Sequence, residues 1–188
     1  MKSEPGRTKT ARSERGEQFR QFLPHGLLAV GIVVAGILLL DLTSRLTFIA
    51  DEWNLVLLRQ GWGFNQFLEP FNGHPIMAPA FVFKVLQEIF GMSSPRPMQV
   101  AATATFLLVN ACLFVYLRRR IGDWAALVGT FLILFMGAAF EDLLFAFQIG
   151  YFGSLAAGLG ALLFLDRDDS RGDIGASILL VVSLLFSS

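Results

Sequence analysis

Two acidic pairs stand out in a chain otherwise poor in charge: Asp51-Glu52 and Glu141-Asp142. Adjacent carboxylates disfavour full ionisation, so such a pair holds a proton more readily than a lone carboxylate and titrates as a unit. The first pair follows directly on an apolar run of membrane-spanning length. A carboxylate fixed where a helix leaves the bilayer could act on a substrate that is itself held in the bilayer. A helix continuing through Asp51 and Glu52 would point them about 100° apart, so the two should have unequal parts, with Asp51 the reacting member. The plain alternative is a solvated helix end. After the pair comes a mixed aromatic and polar loop ending in Asn72-Gly73-His74-Pro75. Gln148 and Tyr151, about a turn into a later apolar run, could line a cavity or bond helix to helix.

The elements that position these residues follow from composition. Of 188 residues 54% are hydrophobic and 13% aromatic, and only 16% are charged. Several apolar stretches approach or exceed about 18 residues, the signature of membrane spans. The formal net charge is zero, which suggests neither nucleic acid nor a strongly anionic partner. A single cysteine, Cys112, lies inside an apolar run; there is no disulfide framework, and the residue reads as packing.

Residues 1–25 are polar and carry Lys2, Arg7, Lys9, Arg12, Arg15 and Arg20. They read as a disordered cytoplasmic tail. Residues 26–188 read as one transmembrane domain of about five spans. The first covers about 27–48, with Asp41 and Arg45 at helical spacing near its end, where they could pair while Arg45 snorkels. An external loop, 51–97, holds Trp53 and Trp62 at headgroup level. Within it the segment Ile76 to Phe90 has helical spacing but is short and interrupted by Lys84, Gln87 and Glu88. It is expected to lie at the interface or re-enter, with a full span as the alternative. Further spans are expected over about 98–117, 124–140 and 143–165. A last run begins near Ile174 and is still apolar at Ser188, as in the front part of a longer polypeptide. Arg118-Arg119-Arg120 and the charged turn 166–173 mark the cytoplasmic side by the positive-inside tendency. Both acidic pairs then fall outside. The expected fold class is all-α: a polytopic transmembrane helical bundle with interfacial helices in its first external loop.

A basic tail, one span and Asp51-Glu52 at its outer end resemble the start of the C-type (GT-C) membrane glycosyltransferases. That superfamily includes protein O-mannosyltransferases and the enzymes that move aminoarabinose onto lipid A. His74-Pro75 is similar to the His-Pro-Pro stretch of their first loop, although Ile76 stands where the second proline would be. The link Gly91 to Arg96 and the span ending Arg118-Arg119-Arg120-Ile121-Gly122 fit the same pattern. The resemblance covers roughly residues 20–188. It implies a plasma-membrane enzyme taking a sugar from a polyprenyl-phosphate donor to an external acceptor of unknown identity. Asp51 or Glu52 would be the general base. His74, Arg45, Arg59 and Arg96 would be the positive groups or donors that stabilise the leaving phosphate. Glu141-Asp142 would orient the acceptor or bind a divalent cation. Oxygen-only ligation would suit magnesium, manganese or calcium; a wet loop tip is the plain alternative.

Two other classes fit a chain of this composition. One is a transporter or flippase subunit, against which stands the clustering of charge at span ends. The other is a catalytically silent membrane scaffold.

Overall fold

The structure, a computed structural model, describes residues 7–49, 51–59, 61–71, 73 and 76–186. Among these it is helical and holds no strand. Four helical stretches are long and apolar enough to cross a membrane: Phe22–Thr43, Arg96–Ile121, Asp123–Leu144 and Ala146–Leu165. Their outward faces carry large apolar side chains such as Val30, Ile37, Leu108, Leu132 and Leu155. Water would not favour so extensive an apolar surface; hydrocarbon would.

Helix α1 (Arg7–Thr43) begins well inside the segment expected to be a disordered tail. Once the apolar span has nucleated a helix, each further residue needs only propagation, which ordinary polar residues tolerate. Near residue 28 it meets the far end of helix α4 (Arg96–Ile121): Leu28 packs with Phe114, Ala126 and Leu127. At its other end the Arg96 guanidinium donates to the Leu40 carbonyl and, at 3.3 Å, to Thr43 Oγ1. The two helices are therefore antiparallel. Gly122, at φ 84°, turns the chain at once from α4 into α5 (Asp123–Leu134), a backbone state that glycine adopts without steric penalty.

One end of the bundle is an arginine end. There Arg119 and Arg120 both bond Asp166, at 3.1 and 3.0 Å, and Arg118 pairs with Asp123 at 3.2 Å. The Arg triplet and the charged turn thus share one end, as the alternation of spans requires. Helix α7 (Ile149–Leu165) arrives there, and α8 (Ser170–Phe186) leaves. Asp168 reverses the chain with φ 52°. Asp169 Oδ1 then accepts the Gly172 N–H at 2.6 Å, an N-cap serving the third residue of α8. Helix α8 runs back along the whole of α7. Ser183 donates to the Ser154 carbonyl at 3.0 Å, and the Phe186 ring sits where Gly153 has no side chain. The described part of α8 is 17 residues, yet it traverses the bundle as its neighbours do.

The opposite end is capped by residues 46–95. A short helix α2 (Phe64–Leu68) and a π-helical turn (Asn54–Leu58) precede α3 (Met77–Phe90). Ile76, Ala80 and Phe83 pack with Phe48, Met98 and Ile149, and six residues after the last of α3 Arg96 is already at the end of α1. Both ends of α3 therefore lie at the same end of the bundle. It caps the bundle and does not traverse it, and its 14 residues span only about 21 Å against a hydrocarbon thickness of about 30 Å. Lys84, Gln87 and Glu88, read as interruptions of an apolar pattern, have partners or burial that explain them in part. Lys84 bonds Glu88 at 2.8 Å and lies 5.6 Å from the Trp62 ring, whose Nε1 donates to Glu88 at 3.3 Å.

The third expected span, about 124–140, falls within the stretch Asp123–Leu144, but that stretch is not one continuous helix. Helix α5 stops at Leu134, a 3-10 turn occupies Gly137–Ala139, and helix α6 covers Phe140–Leu144. A second 3-10 turn, Ala146–Gln148, leads into α7. The low helix propensity of Gly137 falls at this break.

Candidate functional site

The last carbonyls of α1 are closed by side chains. Thr43 Oγ1 donates to Leu39 O at 2.8 Å and Ser44 Oγ to Asp41 O at 2.6 Å, beside the Arg96 contact already described. A helix that ends with its orphan carbonyls satisfied frees the chain to turn, and it re-enters a helical turn at Asp51. Here the acidic pair separates. Asp51 is exposed. Glu52 is only 3% exposed. Its Oε2 accepts the Ile49 N–H at 3.1 Å, the reach-back half of a capping box. Its Oε1 accepts the Ala146 N–H at 2.6 Å, 94 residues away. Burial pushes the Glu52 carboxyl above its ordinary 4.5, the N–H groups of Ile49, Ala146 and Phe147 pull it down, and burial prevails.

Glu52 is thus a tie between the two acidic motifs. It holds the start of the turn that enters α7, where free N–H groups and the helix dipole favour a negative partner. The two members of the pair, expected to have unequal parts, are held differently: Glu52 is locked on backbone N–H groups and Asp51 faces outward.

The expected cations also divide. Arg59 is 5% exposed and is committed to the loop: Nη1 donates to Gln66 O at 2.6 Å and Nη2 to Glu69 O at 2.7 Å. Burial lowers its pKa and the nearby Glu69 raises it, with burial the larger effect. Arg96 is committed to the end of α1. Each guanidinium thus has N–H groups spent on main-chain carbonyls of the fold. Arg45 is exposed, and no Asp41–Arg45 ion pair forms among the described residues. His74, with Pro75, lies outside the described residues.

The second acidic motif opens α6, with Glu141 and Asp142 both exposed. Gln148 Nε2 donates to Asp142 Oδ1 at 2.8 Å. Asp142, Gln148 and Tyr151 share a cleft of about 450 Å³ between α4, α5, α6 and α7, whose other walls include Phe106, Val109, Ile133, Met136 and Leu155. Glu141 is not among its walls. As a cation site the motif is short of ligands: consecutive helical residues diverge, and among the described residues no three His, Cys, Asp or Glu side chains gather as a metal would need.

The structure therefore brings together Asp142, Gln148 and Tyr151, and separately ties Glu52 to Ala146. It leaves Asp51, Arg45 and Glu141 exposed. The Ala146 contact had no signal in the sequence, since its donor is a backbone N–H that every residue but proline carries. Compared with known proteins, the chain matches no family model, no curated protein and no solved structure.

Proposed function

We propose that the chain acts in an integral-membrane glycosyltransferase of the polyprenyl-phosphate type, with the arginine end cytoplasmic and the Asp51 end external. The observation that carries this reading is Asp51, an exposed carboxylate at the loop end whose neighbour Glu52 is anchored by two backbone N–H groups. A group on a rigid neighbour can be held at reacting distance without a large entropic cost. In the proposed step the acceptor O–H attacks the sugar's anomeric carbon. Its proton passes to the Asp51 carboxylate, the bond from that carbon to the phosphate oxygen breaks, and the lipid phosphate leaves with the electron pair. Glu52 is a positioning residue. Arg45 is the described exposed cation nearest in sequence to Asp51 and the one proposed to meet the phosphate. Orientation follows from the Arg triplet and the basic tail, and a plasma membrane from the lipid-linked donor.

Sugar transfer from a polyprenyl-phosphate donor in liposomes tests the reading. Asp51→Asn should lower the rate about 10²–10⁴-fold, the usual cost of losing a general base, with unchanged unfolding temperature. Near-normal transfer by Asp51→Asn would remove the mechanism. A transporter is favoured by one observation, the helix break at Gly137–Ala139 beside a cleft, because irregular backbone at membrane depth is tolerated where it lines a cavity. Donor-independent flux of a lipid across liposomes containing the Asp51→Asn variant would select that reading instead.

A further inference from the structure

The cleft between α5 and α7 has one charged group in its wall, Asp142. Its Oδ1 accepts the Gln148 Nε2–H at 2.8 Å, which holds the carboxylate in place. The carboxylate is exposed and has a second oxygen to offer. Tyr151, 53% exposed, adds a phenol at the rim.

The rest of the cleft is apolar and opens sideways. Ile133 and Leu155 are 37% and 55% exposed, on helices long and apolar enough to cross a membrane. A lipid chain could enter from the bilayer without crossing water. The volume, about 450 Å³, falls within the range of roughly 300–1,000 Å³ usual for small-molecule sites. The charge decides the head group. No Lys, Arg or His lines the cleft, so an anionic head would meet Asp142 with nothing to offset the repulsion, in surroundings where charges interact more strongly than in water. A head with N–H or O–H donors and no negative charge satisfies the free oxygen of Asp142.

We propose that this cleft binds a single-chain amphiphile headed by an amine or a hydroxyl, with its chain along Val109, Ile133 and Leu155 and its head between Asp142 and Gln148. The site needs only the membrane placement of the helices. It stands or falls apart from sugar transfer, and its test uses no transfer assay.

The test is thermal unfolding of the purified protein in neutral maltoside micelles, titrated with dodecylamine, 1-dodecanol or dodecyl phosphate. Ligands that bind the folded state raise the midpoint in a saturable way. Dodecylamine should do so at the lowest concentration, dodecanol at a higher one, and dodecyl phosphate not saturably. Asp142→Asn keeps an acceptor for Gln148 but removes the charge, and should weaken the amine about tenfold or more while leaving the alcohol unchanged. Leu155→Trp, at an exposed wall position, should fill the cleft and abolish both responses. If Leu155→Trp fails to fold, the Asp142→Asn comparison decides alone. Dodecyl phosphate binding as tightly as dodecylamine would overturn the proposal. So would an amine response unaffected by Asp142→Asn.

Discussion

Glu52 sits in the core with each carboxylate oxygen on a backbone N–H, and Asp51, one residue earlier, faces outward. Glutamine at 52 keeps the size but offers one acceptor and one donor where two acceptors are needed. One of the two N–H groups would then face another donor, and Glu52→Gln should lower stability by about 1–3 kcal/mol, read as a shift in denaturant or thermal midpoint. The pH dependence has a definite sign. The folded state holds the Glu52 proton more tightly than the unfolded one, whose carboxyl titrates near 4.5. The contribution of this group is therefore fully present below about pH 4.5 and is lost as pH rises through the higher folded value. Glu88, Asp166 and Asp169 are shifted down and act oppositely, in a more acid window. Stability measured upward from about pH 4.5 should fall to a plateau in the native protein, and Glu52→Gln should lack that fall. A parallel fall in both would remove Glu52 as its source. The residues were legible in part. An acidic pair after a span draws the eye, but which member is buried depended on Ala146, whose contribution is a main-chain donor with no letter of its own.

At the scale of elements, long helices were readable because length and hydropathy alone identify them, as in α4. The break after Leu134 was not, because Phe135 to Ala139 is as apolar as the helix before it and only Gly137 hints at a change. The α7–α8 hairpin rests on close approach. A Cβ at Gly172 would stand 2.6 Å from the Phe164 carbonyl oxygen, and backbone cannot yield as a side-chain tip can. Gly172→Ala should therefore cost about 1–3 kcal/mol through overpacking, while Gly26→Ala, where a Cβ would meet nothing within 4 Å, should be neutral or slightly stabilising. Unfolding midpoints of the two variants make the comparison. Equal midpoints would mean that α8 does not lie against the end of α7 as described.

For the whole molecule, the pairing of Arg119 and Arg120 with Asp166 at one end, and of Glu52 with Ala146 at the other, fixes which loops share a side. It leaves a single binary choice of orientation, for which the positive-inside tendency predicts a cytoplasmic arginine end. Single cysteines at Asn65 and Ser170, both exposed, in a Cys112→Ala background should divide accordingly. An impermeant thiol reagent applied to intact cells should label position 65 and spare 170. Labelling of 170 alone would invert the protein and place Asp51 in the cytoplasm. Labelling of both would break the rule that the two ends face opposite sides. This alternation was legible from charge placement because it needs only the order of spans, not their packing.

The 94-residue separation of Glu52 from Ala146 also sets an order of events during synthesis. At about 5–20 residues per second, Glu52 leaves the ribosome roughly 5–20 s before its partner exists. Throughout that interval the carboxylate must remain hydrated, so the loop that later buries it has to stay open. The nascent chain therefore inserts α1, α4 and α5 first and seals their loop end only once the turn before α7 has emerged. Chains arrested before residue 146 should accordingly show residues 46–59 cleavable by added protease, and chains arrested well after the end of α7 should protect them.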